Sequence, residues 1–293
     1  MNTYTRYIRV ADVCIKMVSS YQFDLEKDCK IFEVKCPKSV EDVTFFLEKV
    51  HDVTLESCIK LNQYASDEIT IFKDNEYIYR VAYTDSAKKE IKWCLKYMDV
   101  SKPSEYTLMY REIWTQSIFQ FNPLFLAGLP EFFSNYECMM LHASVIENED
   151  RGIVFTAPSG TGKSTQADLW VKYRDAEIIN GDRALIRKCK DEYRVYGSPY
   201  AGSSYIYKDK NTKLELIVIL RQGSENRILH LSQKEKYLHL LSELRLSRGN
   251  KEAMNKQTDW LLELIESVPI IMFECKPDKE AVNMIYDYLK ENR

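Results

Sequence analysis

The chain has 293 residues and a net charge of −3, long enough for one large domain or two ordinary ones and without the basic excess that suits nucleic acid or an anionic membrane surface. Its eight cysteines are scattered with no C-x-x-C pair, which gives no support to a zinc knuckle and little to a disulfide framework. No run of about 18 apolar residues occurs, and Arg9, Asp12 and Lys16 break up the apolar residues of the N-terminus; neither a membrane span nor a signal peptide is expected, and a reducing, cytoplasmic setting follows.

Glycine divides the chain. None occurs before Gly128, and seven of the nine fall between Gly152 and Gly223. Glycine marks tight turns and close approaches of backbone, so an α+β N-terminal domain is expected over 1–127 and a second, α/β domain over 128–293. In the first, "IFEVKC" and "DEITIFKDNEYIYRVAYTD" alternate apolar and polar residues as antiparallel strands do. Between them, "SVEDVTFFLEKVHDV" has apolar residues at helical spacing. The aromatic stretch "QSIFQFNPLFLAGLPEFFSNYECM", with two prolines, is expected to connect the domains and pack between them. A single continuous fold is the alternative.

Further on, the apolar run "RGIVFTA" suits a buried strand and "STQADLWVKY" a helix, joined by "APSGTGKST". From Ala157 to Ser164 this reads A-x-x-x-x-G-K-S, one residue from the phosphate-cradling pattern G-x-x-x-x-G-K-[ST]. Backbone N–H groups around Gly160, Thr161, Gly162, Lys163 and Ser164 would form an anion nest at the positive end of the helix, with Ser159 and Thr165 at its borders. Lys163 would neutralise the β- and γ-phosphates of ATP, and the Ser164 hydroxyl would ligate Mg²⁺. Alanine in place of the first glycine is tolerable if its φ is negative. The plainer alternative is a Ser/Gly turn with a solvated lysine.

"AEIINGDRALIRK" follows as a second apolar run broken at Gly181-Asp182-Arg183, with Asp182 nineteen residues after Lys163. An acidic residue at a strand end beside the loop is what a phosphate-loop enzyme needs for its metal shell; an isolated Gly-Asp is otherwise just a turn.

Together, "LHASVI", "APSGTGKST" and "INGDRALI" resemble the HPr kinase/phosphorylase and phosphoenolpyruvate carboxykinase superfamily. With "VYGSPYAGSS" and "LELIVILRQGSENRILHLS" they look most like small bacterial HPr-kinase-related proteins, some of which phosphorylate a serine in a precursor peptide. The resemblance covers residues 136 to 290. It implies an HPr-kinase-like α/β core, with Lys163 and Ser164 in the phosphate-loop roles. It also puts His142 at the pre-loop histidine near the transferred phosphate; the alternative for His142 is a histidine buried at a strand end. Asp182 matches the second member of the family's acidic pair and Gly181 the first, so Asp182 is left both to accept the serine proton and to help hold metal. That loss bears most on a reverse, phosphorylase-type reaction.

Arg183 and Arg227 are candidate further cations on the phosphates, against a plain reading as surface arginines. The glycine-punctuated loop "GSPYAGSS", with Gly202, Ser203 and Ser204, could gate the site or contact substrate, or be an ordinary turn. "SQKEKYLHLLSELRL" and "NKQTDWLLELIESV" read as scaffold helices, and His230 and His239 as structural or exposed. The function these readings favour is an ATP- and Mg²⁺-dependent kinase for a hydroxyl, a serine of a peptide or protein. A small-metabolite kinase, for free serine for example, is the rival; a carboxykinase or a non-catalytic nucleotide-binding module is more remote. No nucleic-acid or membrane partner is expected. HPr kinases are hexamers, so a homo-oligomer stays open.

Overall fold

The computed structural model describes residues 3–35, 41–61, 69–84, 87, 90–111, 120–247 and 250–292. Two compact units divide the chain: Met1–Asn135 with Ser247–Met254, and Tyr136–Leu246 with Asn255–Arg293. Each is built on a large mixed sheet with helices, so the chain is of the α/β class.

The first unit contains β1 (Tyr4–Val10), β2 (Val13–Ser19), β3 (Asp24–Leu25), β4 (Val43–Val50), β5 (Ile59–Lys60), β6 (Ile69–Lys73), β7 (Tyr77–Tyr83), β8 (Ile91–Met98), β9 (Glu105–Arg111) and β10 (Gln120–Phe121). Its helices are short: α1 (Lys27–Lys30), α2 (Pro123–Ala127) and α3 (Leu129–Ser134). Among the described residues the main sheet has the order β1-β2-β4-β9-β8-β7-β6-β5. The expected hairpin is present as β6 and β7, with the turn held by Asp74, whose Oδ1 accepts the N–H groups of Glu76 at 2.8 Å and Tyr77 at 2.7 Å.

Two expectations fail here. "SVEDVTFFLEKVHDV" is not a helix: its first residues lie outside those described, and Val43–Val50 is β4, parallel to both β2 and β9. Val43, Phe45 and Leu47 are buried at a spacing of two. The run satisfies both periods, and its β-branched and aromatic residues favour the strand that two neighbours can hydrogen-bond. "IFEVKC" is not a regular strand either. Phe32 turns back onto Cys29 at 3.1 Å, and only Glu33 makes a bridge, to Ile8; Cys36 lies outside the described residues. In the connecting stretch, whose first residues are also outside those described, Pro123 starts α2 at a position that needs no N–H, capped by Asn122.

The second unit contains β11 (Cys138–Asn148), β12 (Arg151–Thr156), α4 (Lys163–Arg174), β13 (Glu177–Asn180), β14 (Arg183–Cys189), β15 (Glu192–Tyr196), β16 (Asn211–Gln222), β17 (Arg227–Leu229), α5 (Gln233–Glu243), α6 (Lys251–Ser267, of the second unit from Asn255 onward), β18 (Ile270–Cys275) and α7 (Lys279–Glu291). Among the described residues the sheet runs β12-β11-β14-β15-β16-β18-β17, with β13 beside β11, and β12 also pairs with β16. The path from β12 through β11, β14, β15 and β16 therefore returns to β12. Strands β12, β16 and β18 are parallel, and their central stretches 153–155, 216–220 and 270–273 are apolar and buried, as strands covered on both faces must be. Trp170 of α4 and Ile285 of α7 pack on one face, and Leu240 of α5 and Leu264 of α6 on the other. The carboxyl ends of β16 and β18 reach the 157–162 loop and the helix after it: the Gln222 side-chain amide donates to the Gly160 carbonyl at 3.3 Å, and Gln166 of α4 to Cys275 Sγ at 3.3 Å. The carboxyl ends of parallel strands are where α/β folds commonly take ligands.

Candidate active site

The loop between β12 and α4 owes its path to two glycines. Gly160 has φ +80° and Gly162 φ +113°, conformations costly for any residue with a Cβ. No atom lies within 4 Å of where a Cβ would stand on either, so this side of the loop faces open space. Ala157, at the position of the missing first glycine, is buried and does not adopt positive φ; the substitution costs the loop nothing in backbone strain. Gly162 precedes α4, no side chain caps the helix, and the first intrahelical bond runs from the Gln166 N–H to the Gly162 carbonyl at 2.9 Å. The N–H groups of Lys163, Ser164 and Thr165 belong to the first turn, which has no intrahelical acceptor. They lie at the positive end of the helix dipole. Lys163 is largely buried, and its Nζ donates to the carbonyls of Ala157 at 2.8 Å and Pro158 at 3.4 Å. Burial lowers its pKa, opposed by the negative charges of Glu243 and Asp182.

Asp182 stands in the turn from β13 to β14, and the surrounding backbone is heavily pinned. Asn180, fully buried, accepts the N–H groups of Asp182 at 3.0 Å and Arg183 at 2.7 Å, and donates to the Tyr200 carbonyl at 2.9 Å. From β11, the Ala143 N–H donates to the Asp182 carbonyl at 3.0 Å and the Ser144 hydroxyl to that of Gly181 at 2.9 Å. Gly181 is glycine for want of space: a Cβ there would lie 2.2 Å from Ser204 Oγ. Gly202, at φ +52°, is likewise closed, because its Cβ would lie 2.4 Å from Asp182 Oδ2. The 3₁₀ turn Gly202–Ser204 thus packs directly on the Gly181-Asp182 turn.

The side chains then form a chain of their own. His142 Nε2 is 3.1 Å from Asp182 Oδ1, His142 Nδ1 is 2.8 Å from Glu243 Oε2, and Arg183 Nε is 2.9 Å from Asp182 Oδ2. Burial lowers the Arg183 pKa, and Asp182 opposes this. His142 is placed by β11, whose carbonyl at this residue accepts the Thr156 hydroxyl at 3.0 Å.

A cavity of about 530 Å³ opens over these groups, lined by Ser159, Gly160, Gly162, Lys163, Ser164 and Thr165 from the loop and α4, and by His142, Asp182 and Ser204 opposite. Thr161 is at the loop tip, outside the lining, with its N–H on the Pro158 carbonyl at 3.3 Å. Arg183 and Gly202 pack on Asp182 but are not among the residues lining the cavity. Ser203 is in the 3₁₀ turn, but its side chain is not among those described. Arg227 is not brought to the cavity: its guanidinium sits on Glu274 Oε1, with Nη2 at 2.7 Å. His230 and His239 are exposed. Sequence reading missed two carboxylates. Asp168 lines the cavity one helical turn beyond Ser164, a spacing that offered a signal. Glu243 is 101 residues from His142 on a helix that reads as scaffold, and no local pattern marked it.

The unit thus combines an α/β fold with a glycine-bearing loop at a helix start, a lysine, a hydroxyl and carboxylates around one cavity. No family model and no curated protein matches the sequence. Among solved structures, the chain is similar to the HPr(Ser) kinase/phosphatase from Coxiella burnetii, with 10% identity and a TM-score of 0.31 over 52% of this chain and 97% of that one. This is a distant likeness of structure.

Proposed function

We propose that the second unit is an ATP- and Mg²⁺-dependent phosphotransferase that moves the γ-phosphoryl group to a hydroxyl, the acceptor being a serine of a peptide or protein. The supporting observation is the cavity that gathers Lys163, Ser164 and Asp182, with His142, from three separate chain segments. The residues suit the groups they would hold. The open side of Gly160 and Gly162 leaves room for phosphate against the first-turn N–H groups, and among the described residues the Lys163 ammonium donates to the backbone carbonyls of Ala157 and Pro158. Ser164 and Asp182 would hold Mg²⁺, which when bound supplies charge neutralisation on the phosphate oxygens. Lys163 adds a second positive charge there. Asp182 orients the acceptor hydroxyl; as the oxygen–phosphorus bond forms and the bond to the ADP leaving group breaks, Asp182 takes the hydroxyl proton. Arg183 and His142 hold its two oxygens in place. The first unit is assigned to acceptor recognition or assembly.

Calorimetry with Mg·ATP tests this reading. Wild type should bind, Lys163→Ala should lose binding, and Asp182→Asn should keep most of the affinity while losing phosphoryl turnover. Binding that survives Lys163→Ala, or turnover that survives Asp182→Asn, would refute the corresponding role.

A further inference from the structure

We infer that Glu243 is a positioning residue of this site: its carboxylate fixes the His142 ring through Nδ1, and thereby the point at which Nε2 holds Asp182. The inference rests on the phosphotransfer reading and adds to it a residue from the far end of the unit's sequence.

Glu243 is the last residue of α5, and its side chain is only 10% exposed. The chain immediately after it is tied to the strand that carries His142. Leu244 bridges Leu141 antiparallel, and the Arg245 N–H donates to the Met140 carbonyl at 2.9 Å. The backbone directly after Glu243 is therefore held alongside β11, so the 2.8 Å contact to Nδ1 does not depend on a free helix end. Among the described residues the other carboxylate oxygen accepts only from Ser242 Oγ, at 3.5 Å.

An imidazole engaged at both nitrogens cannot flip without placing C–H groups against both carboxylates, so the Nδ1 contact sets ring orientation as well as position. With Arg183 on the other oxygen, Asp182 is clamped from two sides, and the Glu243 side of the clamp runs wholly through His142. Glu243 also adds a carboxylate to a site whose Gly181 position has no room for one.

The full chain with ¹⁵N-labelled histidine provides the test, because its four histidines give few ring signals. In Glu243→Ala the His142 ring signals should move. Affinity for Mg·ATP should be kept or tightened, since a negative charge beside an anion site has been removed. Release of ADP from bound Mg·ATP, with water as acceptor, should fall by about 10- to 100-fold, the usual cost of losing the partner that orients a functional histidine. Glu243→Gln keeps an acceptor oxygen for Nδ1–H and should restore part of the rate. Ring signals that stay put in Glu243→Ala, or that move with no change in turnover, overturn the inference. A folded wild type that does not bind Mg·ATP overturns the phosphotransfer reading instead, and the ring signals still decide whether Glu243 holds His142.

Discussion

Gly181→Ala should destabilise the protein through one contact, and removing that contact should abolish the cost. A Cβ on residue 181 would lie 2.2 Å from Ser204 Oγ and 2.5 Å from Ser204 Cβ, whereas the next neighbour, Ile206 Cβ, is at an ordinary 3.7 Å. Turning the hydroxyl away relieves only the first clash. Ser204 Cβ moves only if the 3₁₀ turn moves, and that turn is anchored by the Ser204 N–H and hydroxyl on the Ala201 carbonyl at 3.1 and 2.5 Å. Position 181 has no slack either, because its N–H donates to the Ile206 carbonyl at 3.0 Å. Overpacking of this sort costs about 1–3 kcal/mol. In a Ser204→Gly background both clashing atoms are gone, so the same substitution should cost close to nothing, leaving a coupling energy of about 1–3 kcal/mol. Urea denaturation of the four proteins, followed by circular dichroism, measures the cycle. Equal costs in both backgrounds, within about 0.5 kcal/mol, would refute the steric account of Gly181.

Two stability predictions concern the scaffold around the site. Glu177 is held by Lys208 and Lys210, each at 2.6 Å, which pull its carboxyl from an ordinary 4.5 down to about 2. Since the folded value is the depressed one, the stabilisation is full above pH 4.5 and disappears as the pH falls towards 2. Solvent screens these half-exposed groups, so Glu177→Gln should cost about 0.5–1 kcal/mol at pH 7 and nothing at pH 2, and a cost independent of pH in urea titrations would contradict this. Trp170 is fully buried, its ring 6.4 Å from that of Phe155 and 6.5 Å from that of Tyr286. Trp170→Ala should cost about 3–5 kcal/mol, and Trp170→Phe clearly less, because it also removes an indole N–H that is buried with no partner among the described residues. Equal losses for the two variants in thermal melts would contradict this.

What the sequence made legible was mostly local. "RGIVFTA", the glycine loop and "STQADLWVKY" form a strand, a turn and a helix from residues adjacent in the chain, and β12 and α4 fall where the pattern puts them. The last helix, α7, carries an equally local signal, its N-cap Asp278 accepting the Ala281 N–H at 2.9 Å. The errors came where the sheet decides. Val43–Val50 has a period that suits a helix, yet it lies between two parallel strands contributed by residues 13–19 and 105–111. No window around residue 43 contains that information, and sheet partners override local preference.

The same division runs through the site. Lys163 and Ser164 are readable because the loop that positions them is contiguous, whereas the environment of Asp182 is assembled at a distance. Gly181 looked like a lost carboxylate because a sequence shows the residue that is missing and not the atom that fills its place. Ser204, 23 positions later, occupies that volume, so glycine is what this packing requires. Glu243 was hidden for the converse reason: its helix has the leucine face of a scaffold element, and a carboxylate at its end looks like any solvated charge. Only the pairing of Leu244 with Leu141 turns that end towards His142. A site whose loop half is local and whose carboxylate half is long-range will always show its loop side first.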